Sequence, residues 1–267
     1  MKRIATIAIS LGVFTLDWCL RIICFATGRK APITPVVLAY HSVSKENRAA
    51  FARQMEKLSQ YSKSWDGSGA QPNGARRASV TFDDGFQNVV ENAIPELTRR
   101  GLPATIFVVT GAMGTTPSWA DYSGGSDPEL NEPILTADQL RQLPSDLIQV
   151  GSHSLTHPML PLLSEEQART ELAGSRKTLE AITGREVKLF SFPYGSASAE
   201  LVRLCREEGY EQVFITYPRA VFSDFNGTVV ARVKVDPDDW PLEFHLKLHG
   251  AYRWRNRWRD YLKGSTS

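Results

Sequence analysis

Ser79-Val80-Thr81-Phe82-Asp83-Asp84-Gly85 is an apolar, β-branched run that stops at two adjacent carboxylates and a glycine. It reads as a short strand with its polar residues at the C-terminal end. Runs of the same character lie on either side: Val36–Tyr40, Ala104–Val109, Leu147–Gly151, Val187–Phe190, Val213–Thr216 and Thr228–Ala231. Helical patterns separate them. Phe51–Tyr61 is one, and Asn88–Arg100 is another that stops at Gly101, with Pro95 expected to start or kink it. Thr136 with Gln139 and Ser164 with Gln167 are capping boxes opening two more, the second running to Gly184, and Ser198–Glu208 is the last. Strand–helix alternation implies a parallel sheet, and the third run is apolar enough to be buried on both faces. The expected fold is α/β: a distorted (β/α)7-type barrel with a parallel sheet core, preceded by an apolar N-terminal helix.

The chain has 267 residues, 42% of them hydrophobic, which supports a sizeable core and excludes wholesale disorder. A net charge of +2 supplies no global field for nucleic acid, and no nucleic-acid partner is expected. Cys19, Cys24 and Cys205 have no ligand spacing and make no disulfide framework. Three segments follow: an apolar membrane-associated or signal-like stretch over 1–30, a catalytic domain over 31–250, and a basic aromatic tail over 251–267.

In the first segment Lys2 and Arg3 precede a run from Ile4 to Ala26. Asp17 and Arg21 interrupt it four residues apart, a spacing that lets them pair on a helix. Each would cost ~2.5–3.5 kcal/mol at the centre of a spanning helix, and no clear cleavage site follows. A membrane-associated helix, a spanning anchor or signal, and a packed soluble helix all remain open. Tyr252–Arg259 is dense in Arg and Trp and reads as a surface-binding segment, with a solvated terminal helix as the alternative. The expected location is the membrane or cell envelope, with neither side excluded.

Three strand ends carry chemistry. Asp83 and Asp84 cannot both ionise cheaply unless a cation sits with them. His153 and His157 stand just past the fourth run, and four-residue spacing on a helical turn would bring both rings to one ion. One carboxylate and two imidazoles are three of the four ligands of a catalytic zinc, leaving a place for water, and the second carboxylate can act as base. Phe192-Pro193-Tyr194-Gly195 follows the fifth run. It is a turn whose Tyr194 N–H could face a developing oxyanion.

In order and placement these segments resemble the polysaccharide deacetylases, the NodB-homology group also called carbohydrate esterase family 4, from about Val36 to His249. The branch acting on exported or biofilm polysaccharides is most similar, through Tyr40-His41-Ser42-Val43. The resemblance implies that Asp83 is the catalytic base and that Asp84, His153 and His157 hold a divalent metal, most simply Zn²⁺. Tyr194 would supply the oxyanion N–H. Pro193, Asp236, Trp240 and His41 would line the substrate groove, with the acetylated glycan as partner. His249, in a partial match to a fifth motif, would be a general acid, although its own sequence context favours a surface position at a helix end. Much of the family carries an Arg that orients the base where this chain has Ser191, and Arg232 or Lys234 is a candidate for that role.

The implied reaction is removal of N-acetyl groups from an amino-sugar polymer. O-deacetylation, or a catalytically silent glycan-binding barrel, are the alternatives. The loops Ser62–Arg77 and Gly111–Pro133 are expected to shape the groove, with Trp119 and Tyr122 as candidates to stack on sugar rings. The basic tail and the apolar helix make a membrane surface a second expected partner.

Overall fold

The computed structural model describes residues 2–29, 35–61, 78–119, 131–216 and 227–255. The loop 62–77, Tyr122 and the tail beyond Arg255 lie outside the described residues. Seven parallel strands form a closed barrel in sequence order: β1 (Val36–Tyr40), β2 (Ala78–Phe82), β3 (Ala104–Val108), β4 (Ile148–Ser152), β5 (Leu189–Ser191), β6 (Gln212–Ile215) and β7 (Val229–Lys234). The helices are α1 (Lys2–Ala26), α2 (Arg48–Tyr61), α3 (Ile94–Arg100), α4 (Ala137–Arg141), α5 (Glu165–Thr183), α6 (Ala199–Glu207) and α7 (Pro241–Leu248). The barrel and its N-terminal apolar helix are as the sequence implies. β5 sits one to two residues later than its apolar run, and α7 is an added helix that opens on Pro241 with no side-chain cap.

Every residue of β1, β2 and β3 is buried, because helices cover the outside while side chains fill the inside. The outer layer joins strands to helices through residues such as Leu38, Tyr40, Phe51, Phe82 and Phe190. A smaller inner cluster of Val37, Phe107, Leu189 and Phe214 fills the bore. Gly151 on β4 is there to admit Phe107: a Cβ at 151 would fall 2.5 Å from that ring. The wall is loosest between β4 and β5, which are matched through Ser152 and Phe190 alone.

Both capping boxes form, at Thr136 with Gln139 and at Ser164 with Gln167. Pro95 falls in the first turn of α3, just after a π-helical turn at Val89–Ala93, so its missing N–H interrupts no helix interior. Gly101 ends α3 in the left-handed conformation, at φ 61°.

Helix α1 packs alongside α7 and runs in the same direction. Arg3 bonds Glu243 at 2.7 Å, Ile7 packs with Leu246, and Phe14 meets the rings of His245 and His249. Trp254 Nε1 donates to Ser10 at 2.9 Å, and Arg253 grips Asp17 through both guanidinium nitrogens.

Candidate active site

Asp83 and Asp84 follow β2 directly, yet they face different partners. Asp83 is 5% exposed and points to the bore. Arg232, on β7 and 1% exposed, reaches it with two parallel hydrogen bonds of 2.7 Å, Nη1 to Oδ1 and Nη2 to Oδ2. Nη2 also donates to Ser191 Oγ at 2.7 Å, and that hydroxyl donates to Asp83 at 3.2 Å. The guanidinium lies between the rings of Phe107 and Phe214, 5.5 and 5.9 Å from their centroids. Arg232 thus bonds both Asp83 and the Ser191 hydroxyl, from a strand two away from β5 in the barrel. Lys234, two residues on, is half exposed and lies 3.9 Å from Asp236.

Asp84 takes a left-handed conformation, φ 66°, which swings its carboxylate away from Asp83's pocket. His153 Nε2 and His157 Nε2 each stand 3.4 Å from Asp84 Oδ1. The other ring nitrogens are occupied: His153 Nδ1 is 2.7 Å from the Ser191 carbonyl, and His157 Nδ1 is 3.1 Å from the Tyr194 hydroxyl. A carbonyl only accepts, so His153 carries its proton on Nδ1 and turns a lone pair toward Asp84.

The two histidines do not share a helical turn. The segment after β4 is a loop with positive φ at Ser154 (69°) and His157 (61°). Ser154 Oγ accepts from the His157 N–H at 3.0 Å, and Ser152 Oγ from the Ser154 N–H at 3.2 Å. Glu171 on α5 takes three more donors: Leu155 N–H at 2.9 Å, Thr156 N–H at 2.8 Å and Thr156 Oγ1 at 2.6 Å. Sequence reasoning missed Glu171. Its signal was a carboxylate beside Leu172 on the stripe of α5 that also buries Ala168 and Leu179.

Burial raises the pKa of Asp83, but Arg232, with smaller help from His153 and His41, outweighs it and holds the carboxyl well below its ordinary range. Burial pushes His153 down to about 4. It pushes His157 down to about 2, with His153 adding to the effect. Both imidazoles are therefore neutral near pH 7, the form that binds metal.

Trp119 lies over His157, ring centroids 4.5 Å apart, and Tyr194 meets the same ring edge-on at 4.6 Å. Tyr194 itself is strained to φ 57° after the buried Pro193. His41 follows β1, close enough to act on the charges of Asp83, His153 and His157, and its Nδ1 is buried without a partner. Three further expected site residues make their contacts with groups other than Asp84 and the two histidines. Trp240, half exposed at the start of α7, has Arg3 over its ring at 5.0 Å. Asp236 is half exposed beside Lys234. His249 packs against Tyr61, Phe14 and His245 at the end of α7, because α7 runs back down the flank from the top of β7.

Among the described residues, Asp84, His153 and His157 are the one group whose ligand atoms gather within 4.8 Å. A tetrahedron with bonds of ~2.0–2.1 Å has edges of about 3.3–3.4 Å. The two Asp84–histidine spacings match that edge, and the donor set of one carboxylate and two neutral imidazoles suits a divalent ion.

A closed parallel barrel with a carboxylate–imidazole cluster at the C-terminal ends of its strands is the arrangement of a barrel hydrolase. The family model for polysaccharide deacetylase matches residues 70–213, and the chain belongs to that family. Among curated relatives, the Bacillus subtilis (strain 168) protein YxkH, named as a polysaccharide deacetylase, is 27% identical over 59% of this chain and 51% of its own length. The poly-beta-1,6-N-acetyl-D-glucosamine N-deacetylase of Staphylococcus aureus (strain MSSA476) is 25% identical over 61% of this chain and 56% of its own. The chain thus matches about half the length of these relatives. Among solved structures, IcaB from Ammonifex degensii superposes with a TM-score of 0.65 at 25% identity, covering 81% of this chain and 98% of the other.

Proposed function

We propose that this protein is a metal-dependent deacetylase that hydrolyses N-acetyl groups on an amino-sugar polymer. The observation that carries the reading is Asp84 facing two neutral imidazoles at 3.4 Å, with a second, separately held carboxylate beside it. The ligands would be Asp84, His153 and His157, and Zn²⁺ suits this donor set. A divalent ion in such a set supplies acidity to water and a Lewis acid to the acetyl carbonyl.

Asp83 accepts the proton of the attacking water. Arg232 and Ser191 fix the carboxylate's orientation and keep it ionised. The Tyr194 N–H stabilises the developing oxyanion, a contribution of ~3–4 kcal/mol for one such donor. His41 is the candidate to bind substrate and protonate the leaving amine, supported by its buried, unpartnered Nδ1. His249 is not carried into this scheme. The two hydrogen bonds from Arg232 to Asp83 support a catalytic reading over a silent glycan-binding barrel.

An amino-sugar substrate is supported by the relative that acts on poly-beta-1,6-N-acetyl-D-glucosamine. An envelope or membrane-surface location is supported by α1, long and apolar enough to cross a membrane with 11% of its apolar window buried. The test is acetate release from a panel of N- and O-acetylated oligosaccharides, before and after chelation and on adding back Zn²⁺. Chelator-sensitive release from N-acetylated substrates bears the proposal out. Release only from O-acetylated ones makes it an esterase, and no release from any makes it a binding barrel.

A further inference from the structure

We propose that α1 lies in the plane of a lipid bilayer while still docked on α7, so that the barrel rests on its flank and its catalytic mouth opens along the membrane surface. The inference deepens the membrane-surface reading above.

Three features of α1 carry it. The first is that the helix belongs to the folded domain. Ser10 is fully buried and Ile7 nearly so. Polar contacts pin the helix at Arg3–Glu243, Ser10–Trp254 and Asp17–Arg253, spread along most of its length. A spanning helix would have to break all three and carry Asp17 and Arg21 into hydrocarbon.

The second is the outward face. Large apolar side chains are exposed from one end to the other, from Ile4 at 62% through Leu16 at 66% to Phe25 at 88%. An end-on insertion of the last turns would leave Ile4, Ile9 and Leu11 in water; a side-lying helix covers them all.

The third is charge. Asp17 is the one acidic residue of the helix, and Arg253 neutralises it. Arg3 and Arg253 are spent on Glu243 and Asp17, which leaves Arg29, exposed past the end of the helix, and Arg255, exposed next to Trp254, as basic residues facing solvent. These exposed cations, with the one acidic side chain of the helix already paired, suit anionic headgroups better than a second copy, which would set like charges together.

The orientation follows from direction. α1 runs parallel to α7, and α7 descends the flank from the top of β7. The N-terminus of α1 therefore lies at the level of the strand C-termini, where Asp83, Asp84 and the two histidines gather. With α1 in the plane, the barrel axis lies roughly in the plane too.

The experiment uses the full chain with an environment-sensitive dye on single thiols along the outward face. Cys19 is one site, and Ala5→Cys and Gly12→Cys supply the others, the remaining α1 cysteines being changed to serine. Vesicles of phosphatidylglycerol with phosphatidylcholine are compared with phosphatidylcholine alone. Expected are tighter binding to the anionic vesicles, weakened about tenfold or more by Leu16→Ser with Ile23→Ser, and equal, shallow dye depth at all three sites. A depth maximum at residue 12 with shallow ends means a spanning helix and overturns the proposal. So does a dimer in buffer that ignores vesicles. Acetate release from a soluble oligosaccharide is measured on the same samples. Lost vesicle binding with intact release refutes this proposal alone, while intact binding without release refutes the catalytic reading alone.

Discussion

Asp83 and Arg232 stand on strands that are not neighbours, with β1 between them, yet they share two hydrogen bonds of 2.7 Å inside the barrel. Charge on Asp83, the proposed general base, is therefore controlled from the last strand of the fold. A bidentate guanidinium fixes both oxygens, which a lysine ammonium cannot do. Arg232→Lys is expected to keep the fold and lose at least tenfold in kcat. Arg232→Ala leaves a buried, unpaired carboxylate and should cost about 3–5 kcal/mol of stability as well. Acetate-release kinetics and urea unfolding of the two variants check both.

The Tyr194 hydroxyl is the hydrogen-bond partner of His157 Nδ1 at 3.1 Å. Tyr194→Phe removes that partner without changing the backbone of the turn. Metal affinity should fall by ~10–100-fold, with little change in thermal unfolding of the metal-free protein. Competition with a chromogenic chelator gives the number, and an unchanged affinity would show that Trp119 packing alone sets the ring.

Glu171 accepts three hydrogen bonds from Leu155 and Thr156, and so shapes a loop it shares no strand with. Glu171→Gln keeps one carbonyl acceptor for donors that now use two oxygens. The loop should lose roughly 1–3 kcal/mol of its preference for the observed form. Metal affinity should drop in Glu171→Gln and drop further in Glu171→Ala. Equal affinity in all three proteins would contradict a positioning role.

Stability should also carry an acid-sensitive component away from the site. Hydrogen bonds from Arg100, and then Arg99, hold Glu96 down to about 2 from an ordinary value of 4.5. A depressed carboxyl stabilises the fold above its unfolded pKa, and that contribution fades as pH falls from about 4.5 toward 2. Glu96→Gln should therefore lower the unfolding free energy from urea titration at pH 7 by about 0.2–1 kcal/mol, the range for a surface pair. The two proteins should converge near pH 2. A constant gap across that window would rule the ion pairs out as its cause.

The acid pair and the histidine pair were legible because each closes an apolar run, and the strand ends of a parallel barrel share one rim. The base-orienting residue was legible only as a choice. Arg232 and Lys234 are two apart, so strand alternation puts both on one face. Height in the barrel decides between them: register sets Arg232 opposite Val37, deep in the wall, and Lys234 opposite Ala39, near the rim, where it is half exposed. The spacing of His153 and His157 suggested a helical turn. Two left-handed residues and a carboxylate from a distant helix bring the rings together instead, and none of these has a local signature. For His249 the helix-end reading fits its place at the close of α7 beside Phe14, Tyr61 and His245, and a partial motif match says nothing about which way a helix descends.

Because Arg232 comes after residue 213, where the family match ends, all the expected metal ligands are synthesised before the cation that disciplines their base. A nascent chain that has emerged only through β6 lacks the guanidinium that bonds Asp83. Hydrolytic competence would then arrive in one step, when the final staves close the cask, and proteolytic or translational truncation ahead of that closure would yield an inert product.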